Sequence, residues 1–481
     1  MTPPGGFPDD PGERPEPSSP LSGDTAFERA EKAEGDVNLS PRRAAFVAAG
    51  HDQATRDWLA RDEAVFFRQS LSTPCLDVLA GAHGSWLTNL GGRRILDFHG
   101  NSVHHLGHGH PAVIRAIRRQ MDELPFCPRR YANAPAVELA ERLCALSPCG
   151  PSKALFAPGG TTAVGMALKL ARAATGRFKT VSMWDSFHGA SLDAISVGGE
   201  ALFRKGAGPL LPGAVHVPPA DPGRCLFRPD GDCASCGLRC AAYIDYVMAH
   251  EGDVGALVAE PVRATTVVLP PPGYWKAVRG ICDRHGALLI FDETAVGLGR
   301  TGRLFACEHF EARPDMVVLG KALGGGIMPL AALLARADLD VVPDKALGHY
   351  THEKNPVACA AGHAALQVIL DQDLPGRAAV LGRRLRNDLE PMGGRHTAAG
   401  PARGLGLALA LEVACPDEDA AAGAVMADRV LYECLARGVS FKVSGGNVLT
   451  LTPPLTITDE DADLALSVLD AALAAASDRN A

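Results

Sequence analysis

Between about residue 110 and residue 340 the chain alternates short apolar runs with amphipathic helical stretches, and this rhythm limits the possible folds more than any other feature. KALFAP, KTVSMW, VGALVAEPV, ALLIFDE and DMVVLGK are short and several are rich in β-branched residues, so they are expected to be strands. HPAVIRAIRRQMDEL, AVELAERLCAL, AVGMALKLARAATG and YWKAVRGICDRHG carry apolar residues at helical spacing. Strands separated by helices imply a parallel or mixed sheet covered on both faces, an α/β fold whose ligands belong at the carboxyl ends of the strands.

The flanks differ. Residues 1–38, beginning MTPPGGFPDDPGERPEPSSP, are rich in proline, glycine and charge and are expected to be a disordered tail. A helical stretch follows to about residue 69, and LSTPCLDVLAGAHGSWLTNLGGRRILDFHG predicts a small β-meander with turns at Gly84 and Gly91-Gly92. From about 375, segments such as GLGLALALEVA and NVLTLTPPL predict a small α+β lobe. The expected organisation is an N-terminal part of a small domain over 39–109, a large domain over 110–374, and the rest of the small domain over 375–481.

A net charge of -8 and a pI near 6.1 argue against a nucleic-acid binder. No apolar run reaches the roughly 18 residues of a membrane span, and the N-terminus has neither the basic start nor the apolar stretch of an export signal. A cytoplasmic location with reduced thiols is the expectation. Cys225, Cys233, Cys236 and Cys240 cluster in an insertion over 221–243, where thiolates can hold a structural zinc ion or remain free.

Two residues stand out at the strand ends. Asp292 closes the apolar run ALLIF, and Lys321 follows MVVLG and precedes a glycine cluster. An unpaired ammonium at such a place costs several kcal/mol of desolvation, as does any buried charge. A carboxylate and an amine at neighbouring strand ends make either a buried ion pair or a site for pyridoxal 5'-phosphate (PLP). In the second case Lys321 bonds the cofactor aldehyde and Asp292 keeps the ring nitrogen protonated. The loop APGGTTAVGMALK then offers backbone N–H groups at a helix N-terminus for the phosphate, and Phe187 can stack on the ring.

IFDETAVGLGRTGRLFACEHF followed by PDMVVLGKALGGGIMPLAA resembles the cofactor signature of the class III aminotransferases, PLP enzymes of fold type I, and LGHGHPAV, FHG, AEPV and NPVACAAG fall in the family's order. The resemblance covers roughly residues 70 to 475 and implies a large domain with a mixed, mostly parallel sheet covered by helices, plus a small α+β domain built from both ends of the chain. It implies that Lys321 is the lysine joined to the cofactor and Asp292 the partner of the ring nitrogen. Gly160 and Thr161 become phosphate ligands, Phe187 the stacking ring, and His188 and Glu260 neighbours of the cofactor. Thr351 matches a threonine that reaches the phosphate from a second subunit, which implies a homodimer acting on a small-molecule amine.

The sequence departs from that family at Gly159 to Ala163, at Thr294 to Gly297 and at Glu353-Lys354. Most important, NVLTLTPPL carries Thr450 where many members place an arginine that grips a substrate carboxylate in a bidentate fork. Arg403 is an alternative clamp. LSTPCLDVL, PRRYAN, FAPGGTTAVGMALKLAR and HYTHEKNP resemble an ammonia-lyase branch of the family that acts on hydroxylated aminophosphonates. A phosphonate needs cations and donors, and the candidates are Arg129, Arg130, Lys354, Arg263, and the polar cluster His99, Asn101 and His104. Arg263 either pairs with a nearby carboxylate or meets the anion. The closely spaced His104, His105, His108 and His110 lie in or beside the family's LGHGHP turn, and no metal is expected there. The competing readings are an ω-aminotransferase using a keto acid, and a catalytically silent protein whose cysteine loop serves as an interaction or metal module.

Overall fold

The computed structural model describes residues 40–70, 72–227, 233, 235–413 and 420–477. The tail expected over 1–38 lies outside the described residues. The strands are β1 (Leu79–His83), β2 (Trp86–Asn89), β3 (Arg94–Asp97), β4 (Ser152–Ala157), β5 (Lys179–Met183), β6 (Ala214–Val217), β7 (Val254–Ala259), β8 (Leu288–Asp292), β9 (Met316–Leu319), β10 (Ala331–Arg336), β11 (Ala399–Leu405), β12 (Ala408–Val413), β13 (Val439–Ser440), β14 (Lys442–Ser444) and β15 (Val448–Leu451).

A seven-stranded sheet in the order β4-β10-β9-β8-β7-β5-β6 forms the centre. From β9 to β6 neighbours run parallel, and β10 is antiparallel to both β4 and β9. Every residue of β7, β8 and β9 is buried. Helices cover both faces, so continuous apolar runs replace the in-out alternation of a half-exposed strand. All five expected strands are present. β6 and β10 were not expected: AALLAR holds alanine and leucine, good helix formers, and only its pairing between β4 and β9 makes it extended.

The helix Gly160–Thr175 starts directly after β4 and lies on the sheet with Ala163 to Leu168 buried. Its N-cap, Gly159, is extended and supplies no side-chain cap, so the first-turn N–H groups keep no side-chain acceptor there.

Both chain ends build the smaller sheets. The expected meander is β1-β2-β3, and β13 adds to it parallel to β3. A second sheet, β11-β12-β15-β14, is antiparallel throughout. Thr452 N–H donates to the Phe98 carbonyl at 2.7 Å and Leu455 N–H to the His105 carbonyl at 2.8 Å, tying the segment after β15 to the segment after β3.

Arg300, fully buried, fastens these parts together. Its guanidinium donates to the carbonyls of Leu407 (3.1 Å) and Pro453 and to His105 Nδ1 at 3.2 Å. His105 Nε2 donates in turn to the Gly297 carbonyl at 3.1 Å. Burial brings the Arg300 pKa down to about 9. Among the described residues no helix is long and apolar enough to cross a membrane.

Candidate active site

A cavity of about 560 Å³ opens at the carboxyl ends of β8 and β9, lined by Lys321, Asp292, Gly160, Thr161, Phe187, His188 and Glu260 among others. Lys321 follows the last residues of β9 with φ +38°, a left-handed conformation that costs a non-glycine residue on the order of 1 kcal/mol. The chain accepts that strain at the one lysine expected to do chemistry. Glycines draw the walls together: a Cβ on Gly320 would fall 2.9 Å, and one on Gly160 3.0 Å, from the Thr294 Cγ2 methyl. The Thr294 hydroxyl itself is buried without a hydrogen-bond partner.

Asp292 is buried at the end of β8. Its Oδ2 accepts from His188 Nδ1 at 2.9 Å and its Oδ1 from the Thr294 N–H at 3.0 Å. Burial pushes the carboxyl up, but the His188 bond and charge and the Thr294 N–H bond outweigh it and hold it below its ordinary value. The same contact works on His188: burial disfavours its cationic form, yet the Asp292 carboxylate raises its pKa above the usual imidazole value. Each partner of the pair thus favours the charged form of the other. Glu260 accepts from Ala264 N–H (2.8 Å) and Phe187 N–H (3.4 Å), and burial raises its pKa against the opposing charge of His188.

At the other end, Thr161 Oγ1 lies 2.6 Å from Ser191 Oγ beside the open N-terminus of Gly160–Thr175. Gly189, at φ +124°, leaves that space clear, since a Cβ there would fall 2.4 Å from Thr161 Oγ1. Phe187 lines the cavity and packs on Phe203 with ring centroids 4.6 Å apart. Thr351 is exposed and is not among the lining residues.

The residues singled out for a substrate anion divide. His99 and Asn101 line the cavity, and among the described lining residues Arg129, Arg130, Arg263, Lys354 and His104 do not appear. Arg129 pairs with Glu353 at 3.5 Å, and Arg130 is exposed. Arg263 donates to Asp221 at 3.2 Å and to Thr266 Oγ1 at 2.7 Å. Lys354 is exposed on the turn after Thr351, where its carbonyl accepts from Asn133. His104 is buried with Nε2 3.2 Å from the Asp97 carbonyl. Arg403 is held by Glu412 (2.9 Å) and by the carbonyls of Thr266 and Val267. Thr450 does line the cavity, its hydroxyl donating to the Thr265 carbonyl at 2.8 Å.

Two further cations line the cavity that the sequence did not mark, Arg43 and Lys442. Arg43 sits in an exposed-looking helical segment, and Lys442 lies on a strand of three residues, so neither carries a local signal.

Asp97, His104 and His108 bring three possible metal ligands together. Asp97 is already engaged: Oδ2 meets His108 Nε2 at 2.9 Å and Oδ1 accepts the N–H groups of His99 and Gly100, fixing the turn that carries His99 and Asn101 into the cavity. Burial opposes its charge, yet these bonds bring its pKa down to about 2. In the insertion, Cys225, Cys236 and Cys240 are free thiols, the last two buried, and burial pushes Cys240 up to about 11.

The class III aminotransferase family model matches residues 69–473. A relative from Vibrio splendidus (strain 12B01), (R)-1-hydroxy-2-aminoethylphosphonate ammonia-lyase, is 44% identical over 455 residues, covering 92% of this chain and 95% of its own. Among solved structures, an amine transaminase from an uncultivated Pseudomonas species in its PLP-bound form superposes with a TM-score of 0.79 at 32% identity, covering 86% of this chain and 99% of that one. An (S)-enantioselective ω-transaminase from Thermomicrobium roseum gives 0.80 at 28% identity, covering 88% and 99%.

The cavity fits PLP. It holds an amine at a strained strand end, an ionised buried carboxylate for a ring nitrogen, an unpartnered buried hydroxyl at Thr294, and a helix N-terminus without a side-chain cap to receive a phosphate.

Proposed function

Because the chain belongs to the class III aminotransferase family, whose cofactor is PLP, we propose that it is an ammonia-lyase converting (R)-1-hydroxy-2-aminoethylphosphonate to phosphonoacetaldehyde. The observation that carries this reading is the 44% identity to the Vibrio splendidus lyase over nearly the full length of both chains. The cavity is compatible with it, since Thr450 spends its hydroxyl on the Thr265 carbonyl and gives no fork for the α-carboxylate of an amino-acid co-substrate.

When bound, PLP supplies an aldehyde for the substrate amine and a ring that stores the electron pair left by deprotonation. The protein does the rest. Lys321 Nζ takes the proton from the carbon bearing nitrogen, and hydroxide leaves from the adjacent carbon. One water is lost and one is taken up, so the net products are ammonia and phosphonoacetaldehyde, with no keto acid consumed. Asp292, kept ionised by His188, would hold the proton on the ring nitrogen. The N–H groups at Gly160 and Thr161 would hold the cofactor phosphate, and Phe187 and Glu260, which line the same cavity, would help to hold its ring.

We place the enzyme in the cytoplasm as a homodimer. Thr351 would serve the site of a second copy, which agrees with its exposure, and the exposed Phe126 beside His352, with ring centroids 5.6 Å apart, offers apolar surface next to it. The test is release of ammonia and aldehyde from the hydroxylated aminophosphonate by the holoenzyme without a keto acid. Steady multiple turnover supports the lyase. A single burst that only pyruvate or 2-oxoglutarate renews would make the protein an aminotransferase.

A further inference from the structure

The charged residues that line the cavity differ in place and sign. Glu260 and Asp292, the carboxylates among the described lining residues, are engaged by Ala264, Phe187, His188 and Thr294. Lys321 belongs to the cofactor chemistry. The remaining lining cations are Arg43, which donates to the Pro74 carbonyl at 2.8 Å, and Lys442.

Lys442 lies on β14 directly opposite Thr450 of β15. Opposed residues of an antiparallel pair stand on the same face of the sheet, with Cβ atoms about 4.5–5.5 Å apart. Both therefore look into the cavity, which Ser440 and Thr452 also line, the Thr452 hydroxyl donating to the Phe98 carbonyl at 3.3 Å. His99, from the other end of the chain, lines the same wall, since the Phe98 N–H donates to the Ser440 carbonyl at 2.8 Å and so runs the two segments side by side. Burial and then the charge of Lys442 bring its pKa down to about 4, so its ring is neutral, and its Nδ1 is buried with no hydrogen-bond partner. A point-like ammonium beside a neutral imidazole suits a tetrahedral oxyanion with several acceptor oxygens better than a planar carboxylate.

We propose that Lys442 and His99 form the subsite for the phosphonate of the substrate: the Lys442 ammonium binds one oxygen, and the Nδ1–H of His99 donates to another. The assignment rests on the lyase reading above and names the residues that choose its substrate. Lys442 is thus a specificity-determining residue contributed by the small C-terminal sheet, and Thr450 leaves it room.

The experiment titrates the holoenzyme with 2-aminoethylphosphonate and separately with ethanolamine, an amine without the anion, following the change in the cofactor absorbance band. Wild type should bind the phosphonate amine far more tightly. Lys442→Met should lower that affinity about 10- to 100-fold, the size of one charge-assisted hydrogen bond, while Lys442→Arg retains most of it. A retained cofactor band and a measurable ethanolamine affinity in Lys442→Met establish that the variant is folded. If Lys442→Met keeps the full preference for the phosphonate amine, the subsite is elsewhere and the proposal is overturned. If wild type itself shows no preference, the phosphonate reading of the function fails, and the subsite with it.

Discussion

Replacing Asp292 by asparagine separates what this carboxylate does for the fold from what it does for the chemistry. In the wild type, Oδ2 accepts from the fully buried His188 ring, whose charged form it favours, at 2.9 Å, and Oδ1 accepts the Thr294 N–H at 3.0 Å. Removing one member of a buried ion pair outright costs about 3–5 kcal/mol, because a charge is stranded. Asp292→Asn avoids that: the amide oxygen still accepts from Thr294, the amide nitrogen turns to His188, and burial then strips the imidazole of its proton. The loss is limited to one charge-assisted hydrogen bond, about 1.5–3 kcal/mol. Activity is expected to suffer more. Without a carboxylate the ring nitrogen loses its counter-charge, and removing one preorganised electrostatic group lowers turnover about 10²–10³-fold. The assay is initial rates of ammonia and aldehyde release together with urea unfolding, on protein saturated with cofactor. A variant within a few-fold of wild-type turnover would refute the role assigned to Asp292, and one that fails to fold would refute the energetic argument.

Glu293 is fully buried and accepts the N–H groups of Ala306 (2.5 Å) and Cys307 (2.7 Å), and burial raises its pKa to about 7. The folded state therefore holds this proton more tightly than the unfolded chain, so its contribution is complete below about pH 4.5 and is lost as pH rises through 7. Glu293→Gln should remove that decline from melting temperatures measured at pH 5 and pH 8, and its persistence would point to another group. The φ of +38° at Lys321 predicts that Lys321→Gly is more stable than Lys321→Ala by about 1 kcal/mol in denaturant unfolding of the cofactor-free proteins, while neither turns over; equal stability would mean the backbone is unstrained. Arg129→Ala, which removes a half-exposed ion pair with Glu353, should cost no more than about 1 kcal/mol and leave the KM for the aminophosphonate within a few-fold; a large rise in KM would return Arg129 to the site.

The sequence revealed the chemical centre better than its surroundings. β7, β8 and β9 were legible because strands buried on both faces read as unbroken apolar runs, and Asp292 and Lys321 are conspicuous for interrupting them. β10 was not, because its extended form depends on pairing with β4 and β9 rather than on Ala and Leu themselves. For Arg263 the sequence left open a carboxylate partner or the substrate anion, because the partner that decides it, Asp221, lies 42 positions away. Lys442 shows the converse: nothing local marks it, and only the register that sets it opposite Thr450 brings it to the cavity.

The pairing of β13 with β3 also governs when the site comes into being. Cavity residues stretch from Arg43 to Thr452, so a chain growing from its N-terminus exposes Arg43 first, then His99 and Asn101, later Lys321, and only near its end the strand that carries Lys442. Until then β3 has an open edge where β13 will sit, and the pocket lacks a wall. Synthesis order thus delays a complete pocket until almost the whole protein has been made, which places the final step of active-site assembly at the docking of the C-terminal lobe.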